Sequence, residues 1–139
     1  MDVNLVKVWK NGWAVKSGGN LHKLGDQSAP HYNLKNTGSD FSSFNFTVQK
    51  NSFKSGISFD YYLTNQNLGI LRDSHVSTPR DYEAAMNTII PFYSGKFSYD
   101  IDNPRQLVEH HLAKISAFNR FENIGKISAT YSFQYNHRQ

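Results

Sequence analysis

A chain of 139 residues is long enough for one domain with a hydrophobic core and short for two. Its formal charge of +4 arises from 15 Lys and Arg that are scattered along the sequence, so the sequence gives little support for nucleic-acid binding. It contains no cysteine, which excludes disulfides, thiolate metal sites and thiol redox chemistry.

The apolar residues are unusually aromatic. The sequence has 10 Phe, 8 Tyr and 2 Trp, and such side chains favour strands and membrane interfaces. No run approaches the ~18 apolar residues of a membrane helix, and the first residues do not resemble a signal peptide. We therefore expect the sequence to be an excerpt of a longer precursor if the protein works outside the cytoplasm.

The first predicted hairpin covers residues 3–17. Two short β-prone segments flank Lys10-Asn11-Gly12, and Asn-Gly is the strongest short-range hairpin signal. Residues 18–40 are dense in Gly, Asn, Asp, Ser and Pro, so we expect a long loop there.

The second predicted hairpin covers residues 41–64, where apolar and polar residues alternate on both sides of a short connection. A longer loop is expected over 66–107. Within it, Ser77 or Thr78 and then Pro79 predict the start of a helix over Pro79–Asn87. A small strand is expected at Lys96–Tyr99.

The third predicted hairpin covers residues 108–138, and its second strand has the clearest pattern. From Ile127 to Asn136 apolar residues at odd positions alternate with Ser, Thr, Gln and Asn at even ones, as in a strand between two different environments. All four prolines fall in the two long loops. The predicted fold class is all-β, an antiparallel meander of about six long strands with one short helix in a long loop.

The alternation of short and long connections favours a membrane barrel. Compact soluble domains seldom contain structureless loops beyond ~12–15 residues, whereas outer-membrane barrels combine short periplasmic turns with long extracellular loops. The aromatic residues form two groups that would suit interfacial girdles. One group lies beside the short turns (Trp9, Trp13, Phe53, Phe118, Phe121), and the other is expected toward the far strand ends (Phe41, Tyr61, Tyr62, Tyr135).

Three stretches also resemble a known family. They are NLGILRDSHVSTPRDYEAAM at 67–86, IDNPRQLVEHHLAK at 101–114 and FQYNHR at 133–138. They resemble the barrel of TonB-dependent outer-membrane receptors, most closely the Bacteroidetes type. The resemblance covers residues 40–139 well and the first 40 weakly.

The resemblance implies that the chain is about six neighbouring strands of a plugged, 22-stranded barrel. The implied function is uptake of iron chelates such as siderophores, cobalamin or similar scarce nutrients across the bacterial outer membrane. The implied partners are outer-membrane lipid, a small nutrient ligand and an energy-coupling inner-membrane complex that acts through a plug lying outside this sequence. The family has no catalytic residue and needs no cofactor here. An open sheet of six strands would leave two unpaired edges.

Candidate site residues follow from this interpretation. His75 with Asp73, and likewise His22 and His31, are candidates for contact with a ligand such as a ferric chelate. Asp60, Lys114 and Gln134 fall on polar strand faces and are candidates for lining a lumen.

Other chemistries have less support. His110 and His111 point to opposite faces of a strand and cannot share one metal ion. Asp81 and Glu83 suit the N-terminus of a helix better than acid–base catalysis, and no hydroxyl has a His and a carboxylate at a recognisable spacing. The alternative function is a soluble β-rich carbohydrate-binding module, whose aromatic residues would form a sandwich core or a sugar platform.

Overall fold

The computed structural model describes residues 1–71, 78–91 and 93–139. Of these residues, 64% are in strands and 6% in a helix, and the sheets are antiparallel, which confirms the all-β class and the one short helix. The elements are β1 (Asp2–Val8), β2 (Trp13–Leu24), β3 (Gln27–Ser28), β4 (Asn33–Leu34), β5 (Ser39–Asn51), β6 (Ser55–Gly69), α1 (Pro79–Met86), β7 (Ser94–Gly95), β8 (Arg105–Phe121) and β9 (Gly125–Arg138). A six-stranded sheet has the order β1-β2-β5-β6-β8-β9, and a three-stranded sheet has the order β3-β4-β7.

The Asn-Gly turn forms where it is expected. Gly12 has a φ of +86°, and its amide donates to the carbonyl of Trp9 at 3.1 Å. A Cβ at this position would lie 2.8 Å from the backbone oxygen of Asn51. Both the backbone conformation and the close neighbour therefore require glycine.

The strands are longer than the hydrophobic pattern predicts, and the loops are correspondingly shorter. The expectation that a loop begins at residue 18 is wrong. Residues 18–24 belong to β2, and they pair with β1 as far as Asn20. Likewise β6 continues to Gly69 and β8 begins at Arg105, inside the expected 66–107 loop. Backbone hydrogen bonds continue the ladder after the side-chain alternation has ended, because pairing does not depend on side-chain polarity.

The helix agrees with the sequence signal at its N-terminus. Thr78 is the N-cap and accepts the amide of Asp81 at 3.2 Å, and Pro79 occupies the first turn. The strand expected at Lys96–Tyr99 is wrong. The strand there is β7, which covers only Ser94–Gly95 and pairs with β4.

The three short turns of the six-stranded sheet lie side by side. The amide of Asn51 donates to the carbonyl of Gly12 at 3.1 Å, and the amide of Arg120 donates to the carbonyl of Lys54 at 2.8 Å. We name this end of the sheet the short-turn rim and define it as residues 7–16, 49–56 and 117–128.

The chain divides into two compact units. The strand unit comprises 1–21, 42–65 and 108–138, and the loop unit comprises 22–41, 66–107 and residue 139. The two long connections of the meander thus fold together. Within the described residues, no helix has the length and apolar character needed to cross a bilayer.

Two buried polar side chains join the segments of the loop unit. Asn36, at a φ of 62°, donates to the carbonyls of Ile70 and Pro104 at 2.9 and 2.7 Å and accepts the amide of Asp102 at 2.8 Å. The Asp26 carboxylate accepts the amides of Thr37 and Ser98, each at 3.2 Å. Since buried polar groups are costly when unpaired, these bonds fix how the two connections meet.

Candidate functional site

One face of the strand unit carries an apolar row that none of the described residues covers. Ile115 stands opposite Tyr131, and Ala113 stands opposite Phe133. Ile115 is 48% exposed, Tyr131 72% and Phe133 58%. These are the odd-numbered residues that the sequence pattern assigns to one side of β9.

The described part of the chain buries no hydrophobic side chain. The accessible surface is 10459 Å², whereas a folded monomer of 15.9 kDa exposes about 7,400 Å². A soluble domain of this size normally buries an apolar core, since that burial is the main favourable contribution to folding. In the described part of the chain, the apolar row therefore remains exposed instead of forming such a core.

The opposite face is polar, and two of the lumen candidates meet there. The Nζ of Lys114 lies 3.4 Å from Oδ2 of Asp60, whose Oδ1 accepts the hydroxyl of Thr47 at 2.9 Å. Gln134 stands opposite Leu112 and is on the same side of β9 as the residue paired with Lys114. The structure thus gathers these three candidates on one hydrogen-bonding face, as the period-two pattern predicts.

A polar cluster interrupts the apolar face, and the sequence interpretation missed it. The hydroxyl of Tyr61 lies 2.7 Å from Nδ1 of His111, whose Nε2 lies 2.8 Å from Oε1 of Glu109. Tyr135 packs against the same imidazole at 5.8 Å between ring centroids. Counting by two along β8 places Glu109 and His111 in the row of Ala113, so the sequence itself indicates that these polar side chains lie on the apolar face.

The two aromatic groups differ in how well their positions were predicted. The first group lies in or beside the short-turn rim, with Trp9 and Phe53 in the turns themselves. The expectation that Tyr61 and Tyr62 lie near a strand end is wrong. Because β6 extends to Gly69, these residues are near the middle of the strand.

The loop unit contains a polar cleft of about 290 Å³. It is lined by Asp26, Lys35, Asn36, Tyr93, Lys96, Ser98, Asp100 and Asp102. Hydrogen-bonding groups and charges of both signs could orient a small polar ligand there.

The candidate ligand histidines do not line this cleft. His22 is exposed on β2, and His31 is exposed between β3 and β4. Asp73 and His75 lie outside the described residues. Within the described ranges, no group of three or more His, Asp or Glu side chains is arranged to hold a metal ion.

Comparison with known proteins finds no relative of this chain. No family model, no curated protein and no solved structure matches the chain.

Proposed function

We propose that this chain is part of the wall and extracellular loops of an outer-membrane receptor of the TonB-dependent type. The observation that carries the proposal is the two-faced sheet, with an uncovered apolar row on one side and hydrogen-bonding side chains on the other. A barrel in lipid needs this division, because its outer side meets hydrocarbon and its inner side meets water.

The extent of the apolar row makes lipid a suitable partner for it. Monomeric soluble proteins rarely expose a continuous apolar patch beyond a few hundred Å². Moving one large apolar side chain out of water is worth roughly 1.5–3 kcal/mol. The row continues along β8 and β9 without a charged residue from Ala113 to Ala117 on one strand and from Ile127 to Tyr135 on the other.

The other parts of the chain have roles in the same proposal. The face that carries Asp60, Lys114 and Gln134 lines a wet lumen, where such side chains influence selectivity. The loop unit contributes to a ligand mouth that takes a ferric chelate, cobalamin or a similar nutrient. The plug and the energy-coupling contact belong to segments outside this sequence.

The carbohydrate-binding module is less well supported. A sandwich would place Phe44, Phe59 and Phe133 together in a dry interior. Phe44 is 41% exposed and Phe133 is 58% exposed. With no buried hydrophobic residue in the described part of the chain, that interior has no counterpart here.

The test is the requirement for an amphiphile. We expect the purified chain to aggregate in plain buffer and to elute as one species in a mild detergent, with a strand-rich circular dichroism spectrum. A monodisperse, folded monomer in plain buffer would contradict the proposal and favour the soluble module.

A further inference from the structure

Two cations stand side by side where the polar face of the sheet reaches the short-turn rim. Counting by two along β8 from Lys114 places Arg120 on the same face as Lys114. Lys126 is the direct partner of Arg120 on β9, and like charges directly opposite one another destabilise a sheet. An anion bound between these two side chains would remove this repulsion.

The one carboxylate of the short-turn rim offsets little of this charge. Glu122 is the rim's only Asp or Glu. Its Oε1 lies 3.9 Å from Nζ of Lys54, and the two side chains are 90% and 78% exposed, so the ion pair is weak. Together with Arg120 and Lys126, these residues leave two positive charges. A phosphate monoester carries about 1.5 to 2 negative charges at neutral pH, so it matches this excess better than a single carboxylate does.

Two clefts of the strand unit share Lys126. The anion cleft has a volume of about 430 Å³ and is lined on the cationic side by Lys54, Arg120 and Lys126. The hydroxyl cleft has a volume of about 250 Å³ and lies on the polar face. Besides Lys126, the polar side chains of the hydroxyl cleft are Gln49, Asn51, Ser58, Ser116, Ser128 and Thr130. Such amides and hydroxyls both donate and accept hydrogen bonds, as the hydroxyl groups of a sugar require.

The ring of Phe118 draws the Lys126 ammonium toward the hydroxyl cleft. Nζ of Lys126 lies 4.5 Å from the centroid of this ring, a contact that attracts a cation. Phe118 stands opposite Ser128. The next pair on this face is Ser116 with Thr130, about 7 Å further along the sheet, and their hydroxyls lie 3.1 Å apart. A ligand with an anionic group at Lys126 and hydroxyl groups several ångströms away would contact both clefts.

We propose that this side of the short-turn rim binds a phosphorylated sugar, with its phosphate between Arg120 and Lys126 and its hydroxyl groups in the hydroxyl cleft. The guanidinium offers a planar fork to two phosphate oxygens, and the ammonium adds a point charge. Phosphate alone would leave the hydroxyl cleft unused, and a neutral sugar would leave the two cations without a counter-charge. The inference goes beyond the proposed function, because it concerns the polar face whatever covers the apolar row.

The experiment is calorimetric titration of the full chain with glucose 6-phosphate, inorganic phosphate and glucose at one ionic strength. The chain is held in a polyoxyethylene detergent, whose headgroup carries neither a sugar nor a charge. Glucose 6-phosphate should bind about tenfold more tightly than inorganic phosphate, since two further neutral hydrogen bonds contribute about that factor. Glucose should bind at least about tenfold more weakly than glucose 6-phosphate, because it lacks the charged group.

Two variants separate the two parts of the site. Arg120→Gln/Lys126→Gln should weaken binding of glucose 6-phosphate at least about tenfold, since hydrogen bonds to charged groups are the stronger ones. Ser116→Ala/Thr130→Val removes both members of a hydrogen-bonded pair and leaves neither unpaired. It should weaken binding of glucose 6-phosphate about tenfold and leave binding of inorganic phosphate unchanged. This second variant keeps the test decisive if the first does not fold.

The matched control for the cationic variant is Lys7→Gln/Lys50→Gln, which removes two cations of the same rim from the opposite face. Thr47 contributes its hydroxyl to the polar face, so Lys50, three residues later, lies on the other face, where its Nζ is 5.6 Å from the ring of Trp13. Lys7 pairs with Val15, two residues after Trp13. The control should retain most of the affinity for glucose 6-phosphate, and any loss should disappear as salt is added. Every variant is first checked for the wild-type circular dichroism spectrum.

Several outcomes would overturn the inference. They are no binding of glucose 6-phosphate, equal affinity for inorganic phosphate, equal affinity for glucose, equal losses in the cationic variant and its control, and no effect of the hydroxyl variant. Failure of the proposed function would look different. The chain would then be a folded monomer in plain buffer, and the same titrations made there would still decide whether the phosphorylated sugar binds.

Discussion

Adjacent residues of β8 offer a direct test of the two faces. Ile115 and Ser116 are neighbours on the strand but lie on opposite faces, paired with Tyr131 and Thr130 respectively. A lysine at 115 would place a charge in hydrocarbon, which costs roughly 2–4 kcal/mol near the bilayer midplane. Ile115→Lys should therefore lower the folding equilibrium constant in vesicles by roughly 30- to 700-fold.

Ser116→Lys is the matched control. It removes a hydroxyl contact of 3.1 Å with Thr130, and a hydrogen bond of this kind contributes about 0.5–1.5 kcal/mol. The lysine itself would face water. Ser116→Lys should therefore cost less than Ile115→Lys by at least about 0.5 kcal/mol.

The assay is denaturant unfolding of the full chain in phosphatidylcholine vesicles, followed by tryptophan fluorescence. Equal losses in the two variants would refute the assignment of the faces, as would a larger loss in Ser116→Lys. An Ile115→Lys variant that became a soluble, folded monomer in plain buffer would show that the row had been covered by protein rather than by lipid.

Three further predictions concern local structure. In chemical unfolding, Gly12→Ala should destabilise the chain by about 1 kcal/mol more than Gly125→Ala. Both glycines have a positive φ, but only at Gly12 would the added Cβ meet a backbone atom, the oxygen of Asn51 at 2.8 Å. Equal losses of stability in the two variants would contradict this prediction. Asn36→Ala should make the loop unit more susceptible to limited proteolysis. Asn36→Gly, which tolerates the positive φ, should restore only part of the resistance to proteolysis. Full recovery of that resistance in Asn36→Gly would show that the side-chain hydrogen bonds contribute nothing. A double-mutant cycle of Asp60→Asn and Lys114→Gln should give a coupling energy below about 1 kcal/mol that decreases as salt is added, because the ion pair is partly exposed. A larger coupling energy that does not depend on salt would argue against a face in contact with water.

Some features follow from local chemistry and were therefore readable in the sequence. The Asn11-Gly12 turn, the cap and proline that begin α1, and the alternation of β9 each depend on residues within a few positions of one another. The division of Asp60 from Phe59 on one strand, and of Lys114 from Ile115 on another, follows from counting by two, because successive side chains point to opposite faces.

The strand ends and the loop unit could not be read from the sequence in this way, because they depend on contacts that are distant in sequence. Gly18 to Leu24 read as a loop, yet β1 supplies backbone partners as far as Asn20. The positions of Asp26 and Asn36 depend on residues up to 72 positions away. No local pattern marks such contacts, so the sequence indicated two separate loops where the chain forms one unit.

The sequence by itself determined the class of fold, the three hairpins and which side chains share a face, because turn chemistry and period-two alternation act over a few residues. Only the tertiary structure decided how far the strands run and that the long connections fold together. It also brought Lys54, Arg120 and Lys126 to one rim. Residues 50–54 and 120–126 are far apart in sequence, and they meet only because hydrogen bonds between neighbouring turns align them.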